Sequence, residues 1–237
     1  MQQPYFIIPD EHGCKGKLLD AYLAAGYYRM ANMIFTTYAT QIDDTSDPLP
    51  VFWLRTPVQN ITANKAATLI EKRCSHFTVT YKKAIITAEV EALYSLYFKH
   101  IHFTAASTCF DCLHQAGFEN PFTSWMIEVR KKNLLIAVGF FDEGANSITG
   151  ILNFYHPNYK KFSLGKYLML LKINYALANN ILFYYTGYLS TKIDKFDYKL
   201  FPDVAAIQVY LPAQNQWQPY SNWNKELLQQ YYLQYLQ

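Results

Sequence analysis

Tyr188, Tyr198 and Lys199 have the types and spacing to hold a polarised group. A phenol donates a hydrogen bond to a developing oxyanion, and an ammonium pairs with a carboxylate or a phosphate. Tyr188 follows Ile181 to Tyr185, a strand-sized apolar run, and Tyr198 and Lys199 come one short loop later. All three can therefore face the crevice beyond that strand, the kind of place where ligands bind. Glu128, Asp142 and His156 are candidate general bases, each otherwise an ordinary sheet-rim residue. Arg29 and Arg55 suit recognition of a carboxylate, because guanidinium grips it bidentately; the alternative for each is a surface salt bridge. His100, His102, Cys109, Cys112 and His114 form the one metal-like constellation, with Cys109 and Cys112 spaced to share a zinc. No second Cys-x-x-Cys accompanies them and the two leading histidines point apart, so the expectation is buried thiols and no metal.

The elements that position these residues are legible between Trp125 and Tyr185. Two apolar runs, Trp125 to Arg130 and Leu134 to Phe141, flank the polar turn Lys131-Lys132-Asn133 and read as a hairpin. A third strand, Ser147 to Tyr155, ends at His156-Pro157-Asn158, since proline cannot donate to a sheet ladder. Ser163 is placed to cap a helix carrying Leu164, Leu168, Leu171, Tyr175 and Ala178 on one side, and Asn179-Asn180 ends it. The strand Ile181 to Tyr185 should then return parallel. Antiparallel meander, crossover helix and parallel strand make an α+β chain with the core order of the GNAT acyltransferase fold. Thr87 caps an earlier helix running to Phe98. A short helix near Leu18 to Ala25 and strands near Met33 to Tyr38 and Val51 to Thr56 form a smaller α+β unit, with Gln41 to Pro50 as a loop inside it. The expected division is an N-terminal unit at 1–84, the acyltransferase domain at 85–212 and a tail at 213–237, irregular from Pro212 to Tyr220 and then helical.

Composition narrows the class. With 237 residues, 51% of them hydrophobic, the chain can bury its core without cross-links, and four scattered cysteines favour a reducing compartment, the cytoplasm. No run has the length of a membrane span. A net charge of +3 is too small to imply nucleic-acid binding, so any such surface must be local. Lys82-Lys83, Arg130-Lys131-Lys132, Lys160-Lys161-Lys166 and Lys192-Lys195-Lys199 are the clusters that can follow a phosphate backbone.

Phe162-Ser163-Leu164-Gly165-Lys166-Tyr167, then Leu182 to Tyr188, then Lys195-Phe196-Asp197-Tyr198-Lys199, resemble the C-terminal domain of the N-degron aminoacyl-tRNA–protein transferases, both arginyl-transferases and bacterial leucyl-transferases. The likeness extends back through Phe154-Tyr155-His156-Pro157 and Ile127-Glu128-Val129-Arg130 to Leu19 to Arg29, covering most of residues 17–203. It implies transfer of arginine or leucine from aminoacyl-tRNA to protein N-termini beginning with Asp or Glu, with no cofactor. For such a transfer the candidate catalytic residues are Tyr188, Tyr198 and Glu128, by the chemistry given above. Tyr28, Arg29, Arg55, Tyr155, Ser163, Gly165, Lys166, Lys195 and Lys199 are then substrate-binding. The family's N-terminal cysteine pair is replaced here by Asp47 to Val51, and its basic pair by Tyr28-Arg29. Two other readings stand beside this one: an acyl-CoA-dependent N-acyltransferase, and a binding module of the same fold without activity. Against CoA, Gly165 stands alone in the phosphate loop and Tyr167 is expected to crowd it.

Overall fold

The computed structural model describes residues 5–10, 12–41, 48–62, 64–101, 105–114 and 119–236. In chain order the elements are β1 (Tyr5–Ile7), α1 (Gly16–Ala24), β2 (Tyr28–Met30), β3 (Met33–Thr36), β4 (Ala39–Thr40), β5 (Leu49–Pro57), α2 (Lys65–Cys74), β6 (Thr78–Lys83) and α3 (Ala88–Phe98). There follow α4 (Cys109–Leu113), β7 (Ser124–Lys131), β8 (Leu134–Glu143), β9 (Ser147–Tyr155), α5 (Leu164–Ala178), β10 (Phe183–Ser190), β11 (Gln208–Leu211), β12 (Gln216–Pro219) and α6 (Lys225–Tyr235). Most of the Gln41 to Pro50 loop, and His102, lie outside the described residues.

The main sheet runs β12-β11-β5-β10-β9-β8-β7-β6, with β4 beside β5. β7, β8 and β9 form the expected antiparallel meander, and β10 returns parallel to β9 after α5. Alternation along β8 divides the core. Ala137 and Phe141 face α2 and α5, whereas Val138 and Phe140 face α3 and α4. A small sheet, β1-β3-β2, packs with α1 over Trp53 of β5 and Tyr185 of β10. Among the described residues no helix is long and apolar enough to cross a membrane.

Four expectations change. The division at residue 84 does not coincide with a break in the sheet, because β5 and β6, from the first 84 residues, pair with β10 and β7. The stretch from Pro212 to Tyr220 is not irregular: Asn215, left-handed at φ 51°, reverses the chain and sends β12 back along β11. The strand after α5 begins at Phe183 and runs on to Ser190. Ser163 precedes α5 but is itself left-handed at φ 56° and makes no side-chain cap, whereas the Thr87 hydroxyl accepts from Val90 N at 3.3 Å as expected. Thr87→Ala should therefore lower stability by about 1 kcal/mol in urea unfolding, while Ser163→Gly, which relieves a left-handed Cβ and breaks no cap, should not.

Candidate functional site

β9 and β10 pair only from Phe183–Ser147 to Tyr185–Thr149. Beyond that β9 stays with β8 as far as Tyr155, and β10 stays with β5 as far as Ser190. A bulge between Tyr185 and Gly187, with Gly187 at φ 101°, turns β10 away. Only glycine adopts such an angle without strain, and a Cβ there would lie 3.2 Å from Lys199 Nζ. The parting leaves a crevice of about 330 Å³ lined from both faces of the sheet. Tyr28, Trp53 and Tyr97 line one face, Met169 and Lys172 the other, and Asn153, Gly187, Tyr188, Tyr198 and Lys199 the walls.

Lys199 is the best placed of the expected residues. Its Nζ donates to Tyr188 O at 2.8 Å and lies 4.6 Å from the centres of both the Tyr188 and Phe196 rings. Burial, helped by the nearby Lys195 charge, pushes its ammonium down to about 7. Tyr188 is held edge-on by Trp53 at 5.1 Å, and Tyr198, half exposed, stands at the mouth. Tyr28 also reaches the crevice, but its hydroxyl donates to Leu54 O at 2.7 Å and its ring stacks on Trp53 at 4.0 Å. A second hollow, of about 440 Å³, shares Tyr97, Asn153 and Tyr198 with the first and opens over the start of α5. Tyr155, Ser163, Gly165 and Lys166 line it. Lys195 lines neither; its Nζ lies 5.0 Å over Phe196.

Three expected site residues have other duties. Arg29 reaches the crevice, yet its guanidinium is spent inside the protein: it pairs with Asp142 at 2.8 Å and donates to Ser124 Oγ, Ala31 O and Leu113 O. Arg55 lies outside the crevice, between the Phe183 and Trp217 rings at 4.4 and 4.5 Å, and donates to Gln208 Oε1. Glu128, on β7, is bound by Lys82 at 2.6 Å and Arg130 at 3.1 Å, away from the crevice. Residue type had singled these charges out, but the partners of Arg29 and Arg55 lie 113 and 153 residues along the chain, too far to read from spacing. Tyr167 does not crowd the loop before α5; its side chain is buried in the core shared with α2. Among the described residues no three His, Cys, Asp or Glu side chains gather as a metal site, and Cys112 Sγ lies 3.1 Å from Tyr94 Oη.

The residue that sequence reasoning passed over is Lys172. It is fully buried, and its Nζ donates to Phe140 O at 2.8 Å and Asn153 Oδ1 at 2.7 Å. Burial pushes its ammonium down to about 7, against the pull of Asp142. A signal was present: Lys172 stands four residues after Leu168 and eight after Leu164, in a row that is otherwise apolar.

Comparison with known proteins bears on the same region. The family described as "Arginine-tRNA-protein transferase, C terminus" matches residues 89–201. An aspartate/glutamate leucyltransferase of Shewanella sp. (strain MR-7) is 28% identical over 205 residues, 84% of this chain and 81% of that protein. One from Pseudomonas entomophila (strain L48) is 28% identical over 150 residues, 61% of this chain and 63% of that protein. Among solved structures, L-PGS from Bacillus licheniformis aligns with a TM-score of 0.42 at 10% identity, covering 73% of this chain and 50% of its own, too slight a likeness to argue from. The matched stretch 89–201 takes in the meander, α5, β10 and Lys199, and with them the Asn153, Gly187, Tyr188, Tyr198 and Lys199 walls of the crevice, while Tyr28 and Trp53 lie before it; over that stretch, a little under half of its length, the chain is similar to the arginine-tRNA-protein transferases.

Proposed function

We propose that this chain moves leucine from its tRNA to the N-terminal amine of proteins beginning with Asp or Glu. The observation that carries the reading is the coincidence of the family match with the walls of the crevice. Leucine is favoured over arginine because no carboxylate lines the crevice among the described residues, while Lys172, Lys199 and a paired Arg29 do. An arginyl guanidinium would enter like charge, whereas Trp53, Tyr97 and Met169 suit an apolar side chain. We read the meander, α5 and parallel β10 as a GNAT-like acyltransferase unit preceded by the N-terminal unit; the strand order and the parting of β9 from β10 support this. An acyl-CoA donor has no support in the family match, although Tyr167 does not exclude one. The setting is the cytoplasm, where charged tRNA is made and used.

The chemistry is aminolysis of an ester. The acceptor's α-amine, with a pKa of about 7.7 to 8, has a usable neutral fraction near pH 7. It attacks the ester carbonyl; the new C–N bond forms, the C–O bond to the ribose breaks, and the ribose oxygen leaves with a proton. Tyr188 or Tyr198 donates to the oxyanion, and Lys199 meets the tRNA terminus. The second hollow, beside Lys160 and Lys166, leads the strand outward, and Arg73 of α2 joins this basic edge by donating to Lys161 O at 2.9 Å. The test is incubation with radiolabelled leucyl- or arginyl-tRNA and peptides beginning Asp, Glu, Asn or Arg. Label should pass from leucyl-tRNA to the Asp and Glu peptides. Use of arginyl-tRNA alone overturns leucine, and salt-dependent tRNA binding without any transfer replaces the enzyme with a binding module.

A further inference from the structure

An acidic acceptor needs a cation to recognise it, and the two arginines that suit the task by type are engaged elsewhere. Lys172 differs from them. Its two partners, Phe140 O and Asn153 Oδ1, are neutral oxygens, and no carboxylate contacts it. An ammonium carries three N–H groups and no lone pair, so two are used and one remains. The same rule fixes Asn153: facing a donor-only group, its amide must turn the oxygen inward, which sends Nδ2 the other way. That Nδ2 has no partner among the described residues, and Asn153 lines both hollows. Gly150 lines the crevice beside the amine, and a Cβ there would press on the Tyr184 hydroxyl at 2.9 Å and touch Lys172 Nζ at 3.6 Å. Lys199, across the parting at Gly187, is the poorer candidate because the faces of Tyr188 and Phe196 already lie against its charge.

We propose that Lys172, with Asn153 beside it, receives the side-chain carboxylate of the acceptor's first residue and so confines transfer to Asp and Glu. This rests on the reading of the acceptor given above. A carboxylate there accepts one bond from the ammonium and one from the amide, and supplies the counter-charge that the crevice lacks. Binding is then linked to protonation. The titratable and charged groups that line the crevice with the amine are the phenols of Tyr28, Tyr94, Tyr97, Tyr184, Tyr188 and Tyr198, which burial keeps neutral, the Cys112 thiol, Lys199, and Arg29 with its partner Asp142. None offers an unpaired negative charge at neutral pH. With its ammonium pushed down to about 7, Lys172 is largely neutral at pH 8, and an arriving carboxylate draws a proton onto it.

The experiment compares Asp- with Asn-initiated peptides, identical beyond the first residue, in wild type and Lys172→Met. Wild type should prefer Asp in kcat/KM by about 30-fold and Lys172→Met by less than about 3-fold, the loss expected for one charged hydrogen bond. An unchanged ratio, with both substrates slowed together, overturns the proposal, since a proton acceptor or a structural lysine would act on both alike. Methionine matches the stem and leaves no buried charge, so the variant should fold. Calorimetry on wild type needs neither variant nor turnover: the Asp peptide should bind at pH 8 with uptake of protons, seen as a dependence on buffer ionisation enthalpy, and without uptake at pH 6. Asp and Asn peptides binding equally, or Asp binding without proton uptake at pH 8, overturns it. If wild type transfers nothing yet binds the Asp peptide in this way, the transferase reading fails and the carboxylate site stands.

Discussion

Arg29→Met should destabilise the protein by about 3 to 5 kcal/mol, because it leaves the Asp142 carboxylate buried without its counter-ion. Both side chains are 1% exposed, and the Ser124 hydroxyl that also serves Asp142, at 2.5 Å, cannot replace a charge. The guanidinium further ties β2 to the end of α4 through Leu113 O, so its loss unpins the N-terminal sheet from the main one. Arg29→Met combined with Asp142→Leu should recover much of the loss, since removing both partners leaves no orphan. Urea unfolding of the single and double variants measures this. A loss below about 1 kcal/mol in the single variant would return Arg29 to the role its residue type suggests, a grip on the acceptor.

Lys199→Met should lower transfer by about 100-fold, the scale for losing one side of a desolvated charged contact, while making the fold more stable near pH 7. Its stability signature is as informative as its activity. Lys199 and Lys172 are both pushed from 10.5 down to about 7, so above that pH the unfolded chain holds protons that the folded chain lacks. Wild-type stability should therefore rise with pH above about 7, each lysine adding up to about 1.4 kcal/mol per unit. Above pH 9 the buried thiols Cys14 and Cys74, pushed up to about 12 and about 11, work in the opposite direction, so the clean window lies between pH 7 and 9. Lys199→Met should roughly halve the slope there. An unaltered slope would mean that the amine is protonated in the folded protein.

What the sequence disclosed was local. The meander, the Thr87 cap and the crossover helix rest on alternation, turn residues and a 3.6-residue period, all of which act within a few positions. That Tyr188, Tyr198 and Lys199 border the crevice was legible because the end of a strand is a position readable from sequence. The partners of charges were not readable. Arg29 meets Asp142 across 113 residues and Arg55 meets Gln208 across 153, and no pattern in the chain announces either pair. Tyr167 failed for a related reason: a two-residue step from Gly165 on a helix turns the side chain toward α2 rather than toward the loop. α2 and β6 went unread although Asn64 caps α2 through the amides of Ala66 and Ala67.

The place of β5 between β10 and β11 governs the order in which the protein can be completed on a ribosome. Arg55 emerges 130 residues before Tyr185, beside which it is to lie, and β11 is made later still. At ordinary rates of synthesis that interval is on the order of ten seconds. Throughout it, a strand reading Val-Phe-Trp-Leu has both edges unpaired except for the short β4. The nascent chain therefore carries this apolar strand unpaired until β10 has been made, which makes β5 the expected contact for a holding chaperone.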